Sequence, residues 1–177
     1  MKQSPEEVTQ ATPIVQVQGL LRGSEAVIVR DTDSLQRLAE LAVENPSCRV
    51  LSVVDADERL IGLVPVRLLV NDIFLKIVPE EFLGEISDMD DVLEYAQHIR
   101  ARTAADIMLE PIALHVHRTV RDAFEVMHKA HVNGLPIVDD KSRVTGYVDQ
   151  LEMLMVWVQA TGRSGMLQPS PDDADRV

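Results

Sequence analysis

Apolar and polar residues follow the same order in two separate parts of the chain. "LQRLAELA" and "VRDAFEVM" each repeat apolar residues at three- and four-residue steps, the period of an amphipathic helix. The predicted helical faces are Leu35, Leu38, Ala39, Leu41 and Ala42 in the first part, and Val120, Ala123, Phe124, Val126 and Met127 in the second. A short apolar strand precedes each helix, and Asp33-Ser34 and Arg118-Thr119 are suitable helix starts. Each part predicts strand, helix, strand, turn, strand and helix.

The two parts also match residue by residue. "LSVVDADERLIG", which begins at Leu51, and "LPIVDDKSRVTG", which begins at Leu135, align without a gap and end at Gly62 and Gly146. Polar turns, "DADER" and "DDKSR", lie between short apolar strands and predict hairpins. Such matched spacing favours an internal duplication over chance similarity. A unit of roughly 55 residues is marginally stable alone, so we expect the two to share a core.

The repeat divides the chain into five segments. We predict a flexible N-terminal tail at 1–12, a first domain at 13–78, an inserted helical segment at 79–102, a second domain at 103–161 and a flexible C-terminal tail at 162–177. The insertion has apolar residues at helical spacing with acids between them.

Composition narrows the functional classes. The chain has 29 acidic and 17 basic residues, a net charge of -12, which argues against nucleic-acid binding. No apolar run reaches the ~18 residues of a membrane span, and the first residues lack a signal-peptide pattern. The single cysteine, Cys48, excludes an intramolecular disulfide. We therefore expect a cytoplasmic protein without membrane insertion.

The chain carries no catalytic motif. It lacks a Gly-x-Ser-x-Gly elbow, a P-loop and a dinucleotide-binding glycine pattern, so we expect no enzymatic activity. His115 and His117 share a face of a predicted strand, and His128 and His131 neighbour each other on a predicted helix. Either pair could hold a transition metal, but surface or structural histidines are the simpler interpretation, and we predict no metal site.

"TAADIM", "GLPIVD" and "GYV", in this order around a helix, resemble the cystathionine-β-synthase (CBS) domain, which usually occurs as a tandem pair. The second copy carries the resemblance more clearly than the first. The resemblance implies an α/β fold: two βαββα-type CBS domains packed as a pseudo-twofold pair, here with the helical segment inserted between them.

The resemblance also implies a ligand site. In the family, a glycine is followed at the third position by Thr or Ser, which bonds a phosphate, and at the sixth by Asp, which bonds the ribose. Here Gly146 is followed by Asp149 and Glu152, whereas Gly62 is followed by Pro65 and Leu68. We therefore predict that the first copy is structural scaffold. The resemblance places adenine near Ile112 and Ala113 or their counterparts Val27 and Ile28. The complete predicted ligand-binding set is Val27, Ile28, Ile112, Ala113, Asn133, Leu135, Pro136, Gly146, Tyr147, Asp149 and Glu152.

The implied function is a regulatory module that binds an adenosine-type ligand in one cleft and signals through a dimer or partner interface. No cofactor is required, and the candidate ligands are adenosine, S-adenosylmethionine, AMP and ATP. A carboxylate at Asp149 would repel phosphate, which ranks the first two above AMP and AMP above ATP. An apolar stripe in the last helix predicts a homodimer: Leu151, Leu154, Met155 and Val158. The alternatives are an interaction module with vestigial pockets and a Mg²⁺ sensor that uses the acidic insertion. The effector protein is not identified by the sequence.

Overall fold

The computed structural model of the protein describes residues 11–18, 25–77 and 100–162. The first repeat contains β1 (Ile28–Arg30), α2 (Leu35–Glu44), β2 (Val50–Val54), β3 (Leu60–Pro65) and α3 (Val66–Ile77), preceded by a short helix α1 (Ile14–Gln18). The second contains β4 (Leu114–His115), α5 (Val120–Ala130), β5 (Gly134–Val138), β6 (Val144–Asp149) and α6 (Gln150–Gly162), preceded by a short helix α4 (Ala104–Ile107).

Each repeat forms a three-stranded sheet with the same topology. The first strand is parallel to the second, and the second is antiparallel to the third. The registers also agree: Leu51 pairs with Val64, as Leu135 pairs with Val148. Both hairpins have an irregularity just before the turn, between Val53 and Val54 and between Ile137 and Val138. The predicted α/β duplication is confirmed.

The central helices begin at the predicted residues. The Ser34 hydroxyl accepts a hydrogen bond from the Arg37 backbone N–H at the start of α2. Thr119 forms a capping box with Asp122 at the start of α5. The predicted helical faces are mostly inward, but Phe124 is 47% exposed because the buried stripe of α5 passes through Val120, Ala123 and Met127.

The short helices that precede the repeats are exchanged between them. Residues Ile14 and Val17 of α1 are buried in the core of the second repeat, whereas Ala104 and Ile107 of α4 are buried in the core of the first. Equivalent backbone hydrogen bonds secure the two segments. Val120 N–H donates to the Thr12 carbonyl, as Leu35 N–H donates to the Arg102 carbonyl. The predicted first domain, which begins at residue 13, therefore contains a helix that completes the core of the second repeat. The predicted second domain, which begins at residue 103, contains a helix that completes the core of the first.

The hairpin turns of the two repeats meet. Arg59 and Arg143, which occupy equivalent positions, form an isolated antiparallel bridge, and Leu60 N–H donates to the Ser142 carbonyl. The pairing of the equivalent residues Arg59 and Arg143 agrees with the pseudo-twofold arrangement that the resemblance implied.

The predicted N-terminal tail up to residue 10, the C-terminal tail from residue 163 and most of the insertion, residues 79–99, lie outside the described residues. The helix expected in the insertion stays a prediction. Within the described ranges, no helix combines the length and apolarity needed to cross a membrane.

Candidate ligand site

The two acids predicted to bind the ligand lie at the start of helix α6. The backbone N–H of Glu152 donates to Asp149 Oδ1 at 2.7 Å, and the backbone N–H of Asp149 donates to Glu152 Oε2 at 3.1 Å. This reciprocal arrangement is a capping box, which satisfies N–H groups that the first turn of a helix leaves without partners. Negative charge is also favourable at a helix N-terminus. The two carboxylates therefore have a structural role whether or not a ligand binds.

Both acids are buried, with 3% of Asp149 and 6% of Glu152 exposed. Their charges affect two neighbours. Burial raises the pKa of the Tyr147 phenol far above its ordinary value, and the charges of Asp149 and Glu152 raise it further. Burial likewise raises the pKa of the Cys48 thiol, with a smaller contribution from Asp149. Cys48 is thus a buried, unreactive thiol.

Tyr147 lies in the core between the repeats. It is 2% exposed and packs with the buried residues of the first repeat. Its phenolic oxygen accepts a hydrogen bond from the backbone N–H of Arg49 at 3.0 Å. Gly134 leaves room for the ring, since a Cβ at that position would overlap the phenolic oxygen and lie 2.6 Å from Cζ. The structure thus gives this predicted ligand residue a packing role.

The other predicted site residues have unequal access to solvent. Leu135 and Pro136 are buried in β5, and Val27 is buried in the first core. Partial exposure is found at Ile112, Ala113 and Gly146, whereas Asn133 and Ile28 are exposed. Ile28 is the counterpart of Ala113, as predicted. Each residue directly precedes the same paired position in the first strand of its own repeat.

A cavity of about 440 Å³ lies beside the first repeat's counterpart of Asp149, which is Pro65. The described residues that line it are Arg49, Val50, Pro65, Val66, Arg67, Val70, Asn71, Val132 and Asn133. These residues supply two guanidinium groups and two side-chain amides but no carboxylate. In a chain with a net charge of -12, this local positive charge suits an anionic ligand. The apolar residues offer a surface for a planar ring.

Only Asn133 of this cavity was among the predicted site residues. The family pattern concerns the third and sixth positions after each glycine, and in the first repeat these are Pro65 and Leu68. A signal for Arg49 was present, since it occupies the position equivalent to Asn133. Arg67 directly precedes Leu68, so an examination of the residues next to Leu68 could have found it.

A second cleft, of about 560 Å³, lies at the hairpin-turn end of the sheets. The described residues that line it are Ile28, Val29, Arg30, Asp33, Val54, Glu58, Asp139, Arg143, Val144 and Thr145. Its lining contains both acidic and basic side chains, and some of them already form hydrogen bonds within the protein. Asp33 accepts from the Arg30 backbone N–H, and the Arg30 side chain donates to the Asp55 carbonyl. The first cavity is therefore the better candidate for an anion.

Comparison with known families agrees with the duplication. The profile described as "CBS domain" matches residues 12–74 and 104–158, about two thirds of the chain. No curated protein sequence is similar enough to be matched.

Similar solved structures have the same fold at low sequence identity. A CBS domain-containing protein from Thermotoga maritima is 19% identical with a TM-score of 0.66, over 90% of this chain and 100% of the other. CBSX2, a CBS-pair protein from Arabidopsis thaliana solved in complex with AMP, is 19% identical with a TM-score of 0.58, over 79% and 92% of the two chains. The CBS domain pair of MJ0100, in complex with 5′-methylthioadenosine and S-adenosyl-L-methionine, is 20% identical with a TM-score of 0.59, over 83% and 96%.

Proposed function

The chain belongs to the CBS domain family, and on that premise we propose that it is a regulatory ligand-sensing module that binds an adenosine-type ligand between its repeats. No enzyme family is indicated by the comparisons. Two of the similar structures contain adenosine-type ligands: AMP in CBSX2, and 5′-methylthioadenosine with S-adenosyl-L-methionine in MJ0100. These complexes support the ligand class for this chain.

The observation that carries the proposal is the cavity beside Pro65. Its volume of about 440 Å³ falls within the usual range of small-molecule sites. The guanidinium groups of Arg49 and Arg67 supply donors for a phosphate, and guanidinium–phosphate hydrogen bonds are among the stronger polar contacts in proteins. A nucleoside monophosphate matches this combination of an apolar wall and a positively charged end.

The cavity therefore predicts a different order of ligands from that expected at Asp149. AMP binds more tightly than adenosine if the ligand's 5′ end faces Arg49 and Arg67. Adenosine and S-adenosylmethionine bind more tightly than AMP if that end faces Asp149. We favour the cavity, because the Asp149 and Glu152 carboxylates are buried and already accept backbone hydrogen bonds.

The Asp149–Glu152 pair is the second candidate site. Adjacent carboxylates suit a ligand with hydroxyl donors or a cationic end, such as a ribose diol or a sulfonium. A ligand there would have to share the carboxylate oxygens with the capping box or replace its hydrogen bonds. This competition with the capping box lowers the affinity that we expect at the second site.

Signal output, in this proposal, passes through a surface of α6. The side chains of Leu151, Leu154, Met155 and Val158 are exposed by 54%, 51%, 40% and 51%. Such an apolar stripe fits a second copy of the chain, since isolated apolar residues are common on surfaces but a continuous helical stripe favours an interface. An unidentified effector protein would bind this assembly and respond to whether the ligand is bound.

Calorimetric titration of the full chain with AMP, adenosine and S-adenosylmethionine tests the proposal. We expect AMP to bind most tightly, and Arg67→Gln to weaken AMP by at least about tenfold, as loss of one charge-assisted hydrogen bond predicts. Adenosine should be affected much less, because it lacks the phosphate. Arg37→Gln is the matched control, since Arg37 pairs with Glu40 on the surface of α2.

Asp149→Thr distinguishes the two sites. The threonine hydroxyl can still cap α6, so the variant removes charge while it keeps the cap. If the ligand binds beside Asp149, this variant raises the affinity for AMP relative to adenosine; if it binds in the Arg49–Arg67 cavity, the order is unchanged. Absence of binding by all three ligands would contradict the proposal and favour an interaction module with vestigial pockets. A response to Mg²⁺ alone would favour a sensor that uses the insertion.

A further inference from the structure

A histidine pair and a carboxylate from separate parts of the second repeat converge on its surface. His115 is the last residue of β4, His117 follows in the next turn, and Asp140 lies in the hairpin between β5 and β6. His115 Nε2 is 2.9 Å from Asp140 Oδ1, and the two imidazole rings have centroids 5.1 Å apart. One ligand atom from each of the three residues lies within 4.8 Å of the other two.

From this convergence we propose that His115, His117 and Asp140 bind one divalent transition-metal ion of the zinc class. Two imidazole nitrogens and one carboxylate oxygen are a common three-ligand set for Zn²⁺, with water in the remaining position. In a tetrahedral site with bonds of about 2.0–2.1 Å, ligand atoms lie roughly 3.3 Å apart. The three ligand atoms, within 4.8 Å of one another, must move closer by side-chain rotation to reach this geometry. Mg²⁺ and Ca²⁺ prefer oxygen ligands and are poor candidates.

The backbone at His115 is fixed by strand pairing. His115 pairs with Val138 in the parallel β4–β5 ladder, and the Val116 N–H donates to the Val138 carbonyl at 3.0 Å. Asp140 follows Val138 by two positions, at the start of the hairpin turn. The ladder therefore positions His115 next to the start of the hairpin turn, whereas His117 and Asp140 themselves lie in turns.

The adjacent acid, Asp139, is used differently. Its Oδ1 accepts the backbone N–H groups of Lys141 and Arg143 and so forms the turn itself. These hydrogen bonds hold the pKa of Asp139 below its ordinary value. Asp140, with 81% of its side chain exposed, instead extends towards His115. Asp139 thus stabilises the turn, and the carboxylate of Asp140 faces His115, where it can bind a metal ion.

Metal binding requires a change at His115. Its Nδ1 is 3.5 Å from the His117 backbone N–H, a long hydrogen bond, while its Nε2 faces Asp140. A metal ion binds the Nε2 lone pair, so a proton held at Nε2 moves to Nδ1, which can then no longer accept the weak hydrogen bond from His117.

The first repeat provides an internal comparison. Strand pairing aligns His115 with Arg30, and the equivalent positions of His117 and Asp140 hold Thr32 and Ala56. That set has neither an imidazole nor a carboxylate and includes a cation, so the proposed site is not repeated in the first copy. In the sequence, Asp140 is distant from the histidine pair, which is why surface histidines were the simpler interpretation.

Calorimetric titration of the full chain with ZnCl₂ tests the proposal, with Co²⁺ absorption as a second measurement of coordination. We expect one Zn²⁺ per chain and affinity lowered at least about tenfold by either His117→Asn or Asp140→Asn, since even second-shell changes commonly cost that much. Both residues are exposed, so the variants should fold, and circular dichroism checks this. Bound metal should also raise the Tm.

The second histidine pair supplies a matched control. His128 and His131 have ring centroids 6.5 Å apart and are not part of the three-ligand cluster. The double variant His128→Asn/His131→Asn should bind Zn²⁺ as the unchanged chain does. Two results would overturn the proposal: no saturable binding at micromolar Zn²⁺, or binding that survives replacement of His115, His117 and Asp140 together.

Discussion

The phenolic oxygen of Tyr147 accepts a hydrogen bond from the backbone N–H of Arg49 at 3.0 Å, and these residues are 98 positions apart in the chain. Tyr147 belongs to the second repeat, yet its ring is buried in the core of the first. The exchanged helices α1 and α4 connect the cores in the same way. We therefore expect the two repeats to unfold in one cooperative transition.

Replacement of this tyrosine should change both stability and its dependence on pH. Tyr147→Phe removes one hydrogen bond and should lower the free energy of unfolding by about 1 kcal/mol at neutral pH. The pKa of Tyr147 is raised by folding, so the stability contributed by its neutral form is present below about pH 10 and is lost as pH rises further. Urea unfolding between about pH 8 and pH 11 should show a steeper alkaline loss for the unchanged chain than for Tyr147→Phe. Equal slopes would mean that the phenol ionises in the folded state as it does in the unfolded one.

The fit between Gly134 and Tyr147 predicts a non-additive pair of substitutions. Gly134→Ala places a Cβ against the phenol and should lower stability by about 1–3 kcal/mol, as overpacking does. Tyr147→Leu introduces the residue found at the equivalent position of the first repeat, Leu63. In that background Gly134→Ala should cost much less. A double-mutant cycle by urea denaturation measures the difference, and additive effects would show that the two positions do not compete for space.

Ser52 has a buried hydroxyl in the middle of β2. It is 0% exposed, and its Oγ has no hydrogen-bond partner among the described residues. A buried hydroxyl without a partner is unfavourable, so Ser52→Ala should raise the free energy of unfolding by about 1 kcal/mol. Thermal unfolding should show a higher Tm. A lower Tm would indicate that the hydroxyl finds a partner, such as an ordered water.

The capping box at α6 predicts different outcomes for two substitutions of one residue. Asp149→Ala removes the acceptor for the Glu152 backbone N–H and should lower stability by about 1 kcal/mol. Asp149→Thr keeps an oxygen in the capping position and should be closer to the unchanged chain. Urea midpoints at neutral pH without added ligand compare the two. If both variants are equally destabilised, the negative charge of Asp149, rather than its capping oxygen, stabilises the helix.

The exposed stripe of α6 predicts a homodimer. Sedimentation at micromolar concentration should show a dimer, and the double variant Leu154→Glu/Val158→Glu should shift it to monomer, because two charges would be buried at the interface. Val43→Glu is the control, since Val43 is 80% exposed on α2 and lies outside the stripe. A monomeric unchanged chain, or a dimer that tolerates the double variant, would contradict this assignment.

The two matching segments made the hairpin of each repeat predictable from the sequence. The spacing of Leu51 and Gly62 recurs at Leu135 and Gly146, and these residues occupy equivalent ladder positions. Ser34 and Thr119 begin the central helices as expected. Such features depend on local periodicity, turn residues and caps, all of which a linear sequence displays.

The candidate sites were less accessible to sequence reasoning. Asp149 and Glu152 were selected by resemblance, but their mutual hydrogen bonds follow from the way β6 leads directly into α6. The cavity at Arg49 and Arg67 requires β2 and α3 of one repeat to meet residue Asn133 of the other. A sequence shows which face of a strand is apolar but does not show which polar residues gather at its ends.

The sequence by itself thus determined the duplication, the βαββα order and the start of each central helix. Only the tertiary structure decided that α1 and α4 complete opposite cores, that Tyr147 fills space between the repeats, and that Asp140 joins the histidine pair. The first group follows from interactions within a few residues. The second depends on contacts between distant segments, whose partners are chosen by the packing of the whole chain.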